Sequence, residues 1–208
     1  MIRAKQLVHF YGNDRALDGV SLRIGKGEFA AITGESGSGK STLLAILSTL
    51  LRPSAGVLKI AGERADRIRN LDRFRREQIG FVFQFHYLIP YLSIRENIAL
   101  ANDDTEAVDV LMDRLGIAPI ADKCADEISG GQRQRAAIAR AVASGPRILF
   151  ADEPTGNLDS MNSQKVFELF DELSREGTTI VVATHDRSLA RRAGRILEMK
   201  DGRLAELS

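Results

Sequence analysis

Residues 34–42 read GESGSGKST, with Gly34, Gly39, Lys40 and Ser41 at the spacing of a phosphate-binding loop. Glycines there let consecutive backbone amides turn inward around phosphate oxygens without Cβ clashes. Glu35, Ser36, Gly37 and Ser38 fill the turn, and Lys40 supplies a compact charge to the outer phosphates. Ser41, followed by Thr42, offers a hydroxyl to Mg²⁺. A second stretch, RILFADEP, ends an apolar run on Asp152 and Glu153. Asp152 can hold Mg²⁺ through its water shell, and Glu153 can polarise an attacking water as general base. A helix N-cap carboxylate is the plainer use of such an acid, but a strand ending in paired acids favours hydrolysis. A third stretch, ISGGQRQRAAIARA at 128–141, opens a helix on Ser-Gly-Gly. Free amides and the positive end of the helix dipole make that turn an anion site as well. One small chain thus carries two phosphate-grasping turns far apart in sequence.

The elements around these residues read as an α/β protein. Residues 4–11 and 16–24 suggest two strands around the polar turn 12–15, and residues 27–34 a buried strand running into the glycine-rich loop. A mostly apolar helix spans 41–51 and stops at Arg52-Pro53. Residues 56–63 and 79–84 resume strand character. Ser93 and Glu96 have the spacing of a capping box, and Thr105 can cap a helix with Val108, Leu111, Met112 and Leu115 on one face. A helix from the Ser129 turn through Ala143 precedes the strand 147–153. A helix at 160–175, a strand at 178–186 and a final hairpin turning at Asp201-Gly202 complete the chain. Strands alternating with helices predict a mostly parallel sheet with helices on its faces, and the helical stretch 92–129 predicts an insertion into it.

At 208 residues the chain is long enough for one domain with a sizeable core. Its 29 basic and 28 acidic side chains leave a net charge of +1, which gives no footprint for nucleic-acid binding as a main task. The single cysteine, Cys124, excludes an intrachain disulfide framework and reads as a small, partly buried hydrophobe. No apolar run is long enough to cross a bilayer, and the first residues lack a signal-peptide core.

Together these stretches resemble the nucleotide-binding subunit of an ATP-binding cassette transporter, over nearly the whole chain. ISGGQRQR is similar to that family's signature motif, and GNLDS and ATHD stand in the matching places. The resemblance implies a P-loop NTPase core, an N-terminal antiparallel β subdomain and an inserted helical subdomain. The core and β subdomain take residues 1–91 and 130–208, and the helical insertion 92–129. It implies ATP and Mg²⁺ as ligands, and two subunits pairing head to tail with each ATP between one P-loop and the other chain's signature turn. Ser129, Gly130 and Gln132 would then contact the partner's γ-phosphate, with Gly131 permitting close approach. Tyr11 resembles the aromatic that stacks on adenine, although His9 and Phe10 adjoin it; strand alternation puts Phe10 on the other face. Gln84 matches the glutamine that reaches Mg²⁺ and water, His185 the switch histidine, and Asp159 the loop between the two sites.

The chain departs from the family pattern at Ile128, where leucine is usual, and in a short 100–117 region. The loops FVFQFHYLIPYLSIRENI and ADEPTGNLDS look most like the branch of lipoprotein-release, macrolide-export and cell-division ATPases. That branch implies membrane permease partners and a place on the cytoplasmic face of the plasma membrane, with no nucleic acid. The competing class is a soluble cassette ATPase acting on nucleic acid or ribosomes. Its best support is the cluster Arg64, Arg67, Arg69, Arg73, Arg75 and Arg76, which reads instead as a solvated face with Asp66, Asp72 and Glu77 interspersed. A regulatory module without turnover is disfavoured by Glu153 and His185 occurring together. Six bulky groups around Pro90 (Phe85, Tyr87, Leu88, Ile89, Tyr91 and Leu92) predict an irregular surface loop, half packed and half exposed.

Overall fold

Strand β1 (Ile2–Tyr11) turns at Gly12 and Asn13 into β2 (Asp14–Ile24), and β4 (Ala55–Ile60) and β5 (Glu63–Arg64) extend the pair. The computed structural model describes residues 1–207. These four strands form an antiparallel sheet of order β2-β1-β4-β5. Ile2, Ala4, Leu22, Ile24, Leu58 and Ile60 are buried on one face, while Arg3, Lys5, Arg23 and Lys59 are exposed on the other. This alternation belongs to a sheet with one wet side.

The second sheet contains β3 (Phe29–Thr33), β6 (Ile79–Val82), β7 (Ile148–Asp152), β8 (Thr179–Ala183), β9 (Arg195–Lys200) and β10 (Arg203–Leu207). Its order is β10-β9-β3-β8-β7-β6, parallel from β9 to β6, with β10 added as an antiparallel edge. The edge hairpin turns at Asp201 and Gly202, both at positive φ (49 and 74), as a two-residue turn requires. The central strands read as continuous apolar runs because both faces are covered. Ala31, Leu149, Ala151, Ile180 and Val182 pack against α5 (Gly130–Ala143) and α6 (Ser160–Arg175). Ala30, Ile32, Phe150, Val181 and Ala183 pack on the other side with α1 (Lys40–Leu47) and the antiparallel sheet.

Helix α1 is shorter than its sequence predicts, ending at Leu47 instead of Leu51. Thr49 adopts φ 64, and the amides of Leu50 and Leu51 both turn back to the Ala45 carbonyl, so the chain unwinds before Arg52-Pro53. Helix α3 (Ile94–Ala99) starts with the predicted Ser93/Glu96 capping box. Helix α4 (Thr105–Arg114) is capped by Asp104 rather than Thr105: the Asp104 carboxylate accepts from the amides of Glu106 and Ala107. Val108, Met112 and Leu115 are buried, and Leu111 is partly so. Ile94, Ile98, Val108 and Met112 belong to the same apolar cluster as Phe29 and Leu149, so the insertion shares the core of the main sheet.

Two helices have little sequence signature. Helix α2 (Leu71–Gln78) buries only Phe74, and α7 (Arg187–Arg192) has six residues. The arginine-rich segment around α2 is the predicted solvated face: Arg64 pairs with Asp66, Arg73 with Glu77 and Arg75 with Asp72. Among the described residues no helix is long and apolar enough to cross a membrane.

Candidate active site

Register brings the sequence motifs together. Ile32 and Asp152 are both Cα partners of Ala183, and Val82 is the partner of Ala151, so β3, β8, β7 and β6 end level. The loops that follow them open on one edge, where parallel sheets bind ligands. They enclose a cavity of about 640 Å³ lined by Tyr11, Ala16, Gly34, Glu35, Ser36, Gly37, Gly39, Lys40, Ser41, Thr42, Gln84, Asp152, Glu153 and His185. A larger cleft, about 770 Å³, lies at the opposite edge near Gly27–Phe29. Arg192 pairs there with Asp171 and Arg195 with Glu28, and the cleft carries none of the motif residues.

The loop before α1 needs glycine at two places. Gly34 has φ 144, and a Cβ there would lie 2.2 Å from the Met199 carbonyl oxygen. Gly39 has φ 99, and its Cβ would come within 2.6 Å of the Ala16 carbonyl oxygen. Lys40 folds over the loop and donates from Nζ to the carbonyls of Gly34 and Glu35, each at 2.8 Å. Ser38 alone among the predicted loop residues does not line the cavity. It is buried, its amide donates to Glu35, and its Oγ has no partner among the described residues.

The two acids occupy different environments. Asp152 is partly buried; burial pushes its carboxyl above the ordinary range and the neighbouring Glu153 charge adds to the shift. A hydrogen bond from the Ser41 hydroxyl and the Lys40 charge oppose it. Glu153 has φ 48, a left-handed conformation that costs a non-glycine residue about 1–3 kcal/mol. The residue is locked there: its amide donates to Ala183 at 2.9 Å, and its Oε2 accepts from Thr184 Oγ1 at 3.2 Å and from the His185 amide at 3.4 Å. Its Oε1 lies 2.9 Å from Nδ1 of the exposed His185. Ser41, Asp152 and Gln84 present hydroxyl, carboxylate and carboxamide oxygens to one cavity beside Lys40. An all-oxygen set with room for water fits a hard divalent cation such as Mg²⁺.

Tyr11 also reaches this cavity, whereas Phe10 lies under the Arg15 guanidinium, 5.2 Å from its ring centre. His9 is buried and meets the Tyr11 ring edge-on at 4.8 Å. The alternation predicted for the three aromatics holds despite a register irregularity between His9 and Phe10.

Ser129, Gly130, Gly131 and Gln132 do not line the cavity, and neither does Asp159. Ser129 caps α5: its Oγ accepts from the Gln132 amide at 3.2 Å, and Gln132 Oε1 accepts from the Ser129 amide at 2.9 Å. Both side chains are thereby engaged, and the first-turn amides of Gly130 and Gly131 remain as anion donors. A Cβ on Gly130 would meet nothing within 4 Å, so the turn faces open space; one on Gly131 would lie 3.0 Å from the Asn157 carbonyl. Asp159 caps α6, accepting from the Asn162 amide at 2.8 Å, and this bond holds its carboxyl below the usual range.

Sequence reading missed the connecting residues. Arg135 is buried in α5 and donates to the carbonyls of Gly131 and Leu115 and to Asn162 Oδ1, joining the signature turn to the Asp159 helix. The only sequence signal is an arginine on the buried side of an otherwise apolar helix face. Asn97, fully buried, exchanges hydrogen bonds with Ile89 and donates to the carbonyls of Leu92 and Ser93. It pins the loop after Gln84, in which Leu88 packs on the core while Phe85, Tyr87 and Tyr91 are 73%, 62% and 80% exposed. Both tyrosines are therefore at the surface.

The raised Asp152 pKa has a consequence for stability. An acid whose folded pKa exceeds its unfolded value destabilises the native state wherever it is ionised, and the cost disappears as pH falls through both values. Asp152→Asn keeps an acceptor for Ser41 and removes the buried charge. The nucleotide-free variant should melt above wild type near neutral pH, with the gap closing as pH approaches about 4. Thermal melts across pH check this; a gap that widens on acidification contradicts it.

Known proteins are similar to this chain in sequence and fold. The family model described as ABC transporter matches residues 17–156. The chain is 47% identical over 203 residues to the lipoprotein-releasing system ATP-binding protein LolD 1 of Caulobacter vibrioides, covering 91% of this chain and 86% of that one. It is 43% identical over 214 residues to LolD of Aquifex aeolicus, at 98% and 96% coverage. It is 41% identical over 198 residues to the macrolide export ATP-binding/permease protein MacB 1 of Yersinia pestis bv. Antiqua, spanning 90% of this chain but 30% of that longer protein. Among solved structures, the dimeric ATP-binding cassette MJ0796 bound to ADP and Pi superposes with a TM-score of 0.93 at 36% identity, covering 100% of this chain and 99% of that one. A matched motif set on a matched fold leaves one assignment, and the chain belongs to the ABC transporter family as an ATP-binding cassette ATPase.

Proposed function

We propose that this chain is the ATP-hydrolysing subunit of a membrane transport or force-transmitting complex, and that it works as a head-to-tail pair with ATP at each joint. The observation that carries the reading is the separation of two phosphate-grasping turns in one chain. The P-loop cavity contains the acids and His185, while the Ser129 turn lies outside it with open space at Gly130. Each half-site is completed by the other subunit. The dimeric state of MJ0796 with ADP and Pi supports this arrangement. The names of LolD and MacB, which refer to lipoprotein release and to a macrolide-export permease, support membrane permeases as partners and a location on the cytoplasmic membrane face.

In this reading Tyr11 stacks on adenine, and the loop amides between Glu35 and Thr42 that stay unbonded grip the phosphates with Lys40. Ser38 shapes that loop from within, its side chain turned inward and its amide bonded to the Glu35 carbonyl. The partner's γ-phosphate meets the Gly130 and Gly131 amides, held in position by the Ser129–Gln132 box. Ser41, Gln84 and Asp152 would hold Mg²⁺, which when bound neutralises charge on the β- and γ-phosphate oxygens. Glu153 accepts the proton of the attacking water as its oxygen reaches the γ-phosphorus and ADP leaves. Thr184 and His185 fix the direction in which that carboxylate points. Asp159, capping the helix that Arg135 ties to the signature turn, fits the connection between sites. The segment 92–129 serves as the helical unit that presents this turn.

Glu153→Gln should bind ATP within about twofold of wild type while turnover falls about 10²–10⁴-fold. Phosphate release and equilibrium binding measure the two; near-normal release would remove Glu153 from the base role.

Gly130→Asp puts a carboxylate where the partner's phosphate is expected, and the like charges repel. The monomer should still bind ATP, while ATP-driven dimerisation and hydrolysis are lost. A loss of monomer affinity as severe as in Lys40→Ala would mean that the turn acts on its own chain's nucleotide.

The exposed Phe85, Tyr87 and Tyr91 adjoin Gln84, so a shift at the γ-phosphate can move this surface, which is proposed to receive the permease. Tyr87→Ala or Tyr91→Ala should weaken co-purification with the permease by about 2 kcal/mol, roughly 30-fold. ATPase of the isolated subunit should stay level. Full assembly by both variants would place the docking surface elsewhere.

A further inference from the structure

Three buried polar atoms without partners meet at one place. They are Nε2 of His86 and both Nε2 and Oε1 of Gln134. The Gln134 carboxamide lies beside the His86 imidazole, close enough to interact but short of full hydrogen-bond geometry, and neither finds another partner among the described residues. Gln134 is fully buried, one turn into α5, whose first residues are the Gly130-Gly131 turn. His86 lies two residues beyond Gln84 in the loop that leaves β6. Buried side-chain polar atoms are nearly always satisfied, so an orphaned cluster marks a bond that another arrangement completes.

The same helix grips this loop a second time. Arg140 of α5 donates from Nη2 to the His86 carbonyl at 3.0 Å. His86 and Tyr87 have φ 53 and 48, two successive left-handed residues with no glycine. Such a conformation persists only where surrounding contacts over-determine it. The contacts here come from the His86 amide bonded to the Phe83 carbonyl, the Phe83 ring edge-on to Tyr87, and Arg140 of α5, so the signature helix shares in shaping the path from Gln84 to the exposed tyrosines.

We propose that His86 and Gln134 act as a polar latch between the Gln84 loop and helix α5, so that the position of the signature turn sets the position of Gln84. His86 and Gln134 are positioning residues, since neither lines the phosphate cavity. An α-helix moves as a rod, and a displacement of its first turn by a bound phosphate carries Gln134 with it. Closing the latch satisfies buried donors and acceptors together and draws the loop toward α5. Within one chain, occupancy at the signature turn is thereby read at the chain's own nucleotide cavity. The inference rests on the head-to-tail use of the turn proposed above.

The test uses the full chain as a dimerising ATPase, with His86→Phe, Gln134→Met, their double variant, and the swap His86→Gln with Gln134→His. His86→Phe keeps a ring and removes its polar edge; Gln134→Met keeps length and removes the amide. Each single variant should lower kcat about five- to twentyfold with KM and monomer ATP affinity within about twofold. The double variant should be about as slow as either single one, because both remove the same interaction. The swap restores both polar partners and should recover most of kcat. It also keeps the latch testable where a single variant fails to fold, since a folded swap with no recovery overturns it. Unchanged kcat in both single variants overturns the latch, as do multiplicative losses in the double variant. So does a fall in Tm with normal kcat in the folded protein, which is what a merely structural pair would give. If wild type itself neither hydrolyses ATP nor dimerises, the proposed function falls and this inference with it. If wild type turns over normally and the variants match it, the latch alone falls.

Discussion

The parallel register of β3, β8, β7 and β6 is the constraint on which the rest of the molecule depends. Because side chains alternate with period two, a slip of one residue in β7 would exchange Phe150 with Leu149 between two differently shaped cores and move Asp152 off the edge. Both faces of these strands are buried, so such a slip is opposed by every layer at once. Burying a large aliphatic or aromatic side chain contributes about 1.5–3 kcal/mol, and each central strand carries several. The site needs this rigidity. Lys40, Asp152, Glu153 and His185 come from three separate loops, and only a common register brings those loops level.

That rigid frame carries local costs at the catalytic edge. Asp152 is held partly out of water next to a second acid, Glu153 adopts a left-handed backbone, and Gly34 and Gly39 occupy conformations closed to other residues. The Asp152 and Glu153 features oppose folding, and the glycines admit the close approach of backbone to an anionic ligand. In the proposed function a phosphate chain would bring negative charge to the Lys40 ammonium and the free amides, and a divalent cation would offset the two carboxylates. The charge cost at Asp152 would therefore be relieved by such ligands, whereas the backbone conformations are held by the surrounding fold. Ligand binding to such a site should stabilise the fold, in proportion to ligand concentration over its Kd.

The chemistry was legible in the sequence wherever it was local. The phosphate loop, the acid pair, the Ser93 and Ser129 capping boxes and the Asp201-Gly202 hairpin depend on residues within a few positions, and the structure forms all of them. Departures arose where a distant contact, or a competing neighbour, decided the outcome. Helix α1 stops early because Thr49 turns left-handed, with Arg75 bonded to its carbonyl from α2. Ser38 turns away from the cavity because it packs beneath the Gly34 turn, and the Gly202 amide binds its carbonyl. Asp104 displaces Thr105 as a cap because a carboxylate one residue earlier reaches two amides. Arg135 joins segments 20 and 27 residues apart and the facing His86 and Gln134 lie on separate elements, while Asn97 bonds within its own loop and helix start, where no turn motif announces it.

These polar residues share a location that gives them a common role. Arg135 joins the Gly131 carbonyl to Leu115 and Asn162, Arg140 joins α5 to His86, and Asn97 holds the loop that His86 leads into. Helix α5 is therefore a hub whose polar contacts reach the helical insertion, the Asp159 cap and the Gln84 loop. Its other contacts are apolar, largely alanine against the sheet. Small side chains make a smooth surface with few interlocking ridges, which resists sliding less than a face of large branched residues. Directional hydrogen bonds, by contrast, are broken or re-made by small displacements. A helix seated on a smooth face and tethered by directional bonds can shift its first turn without unfolding, and every tether then reports the shift. In the proposed pairing, the helix that lends its first turn to another chain is also bonded, through Arg140 and the His86 carbonyl, to the lender's own Gln84 loop.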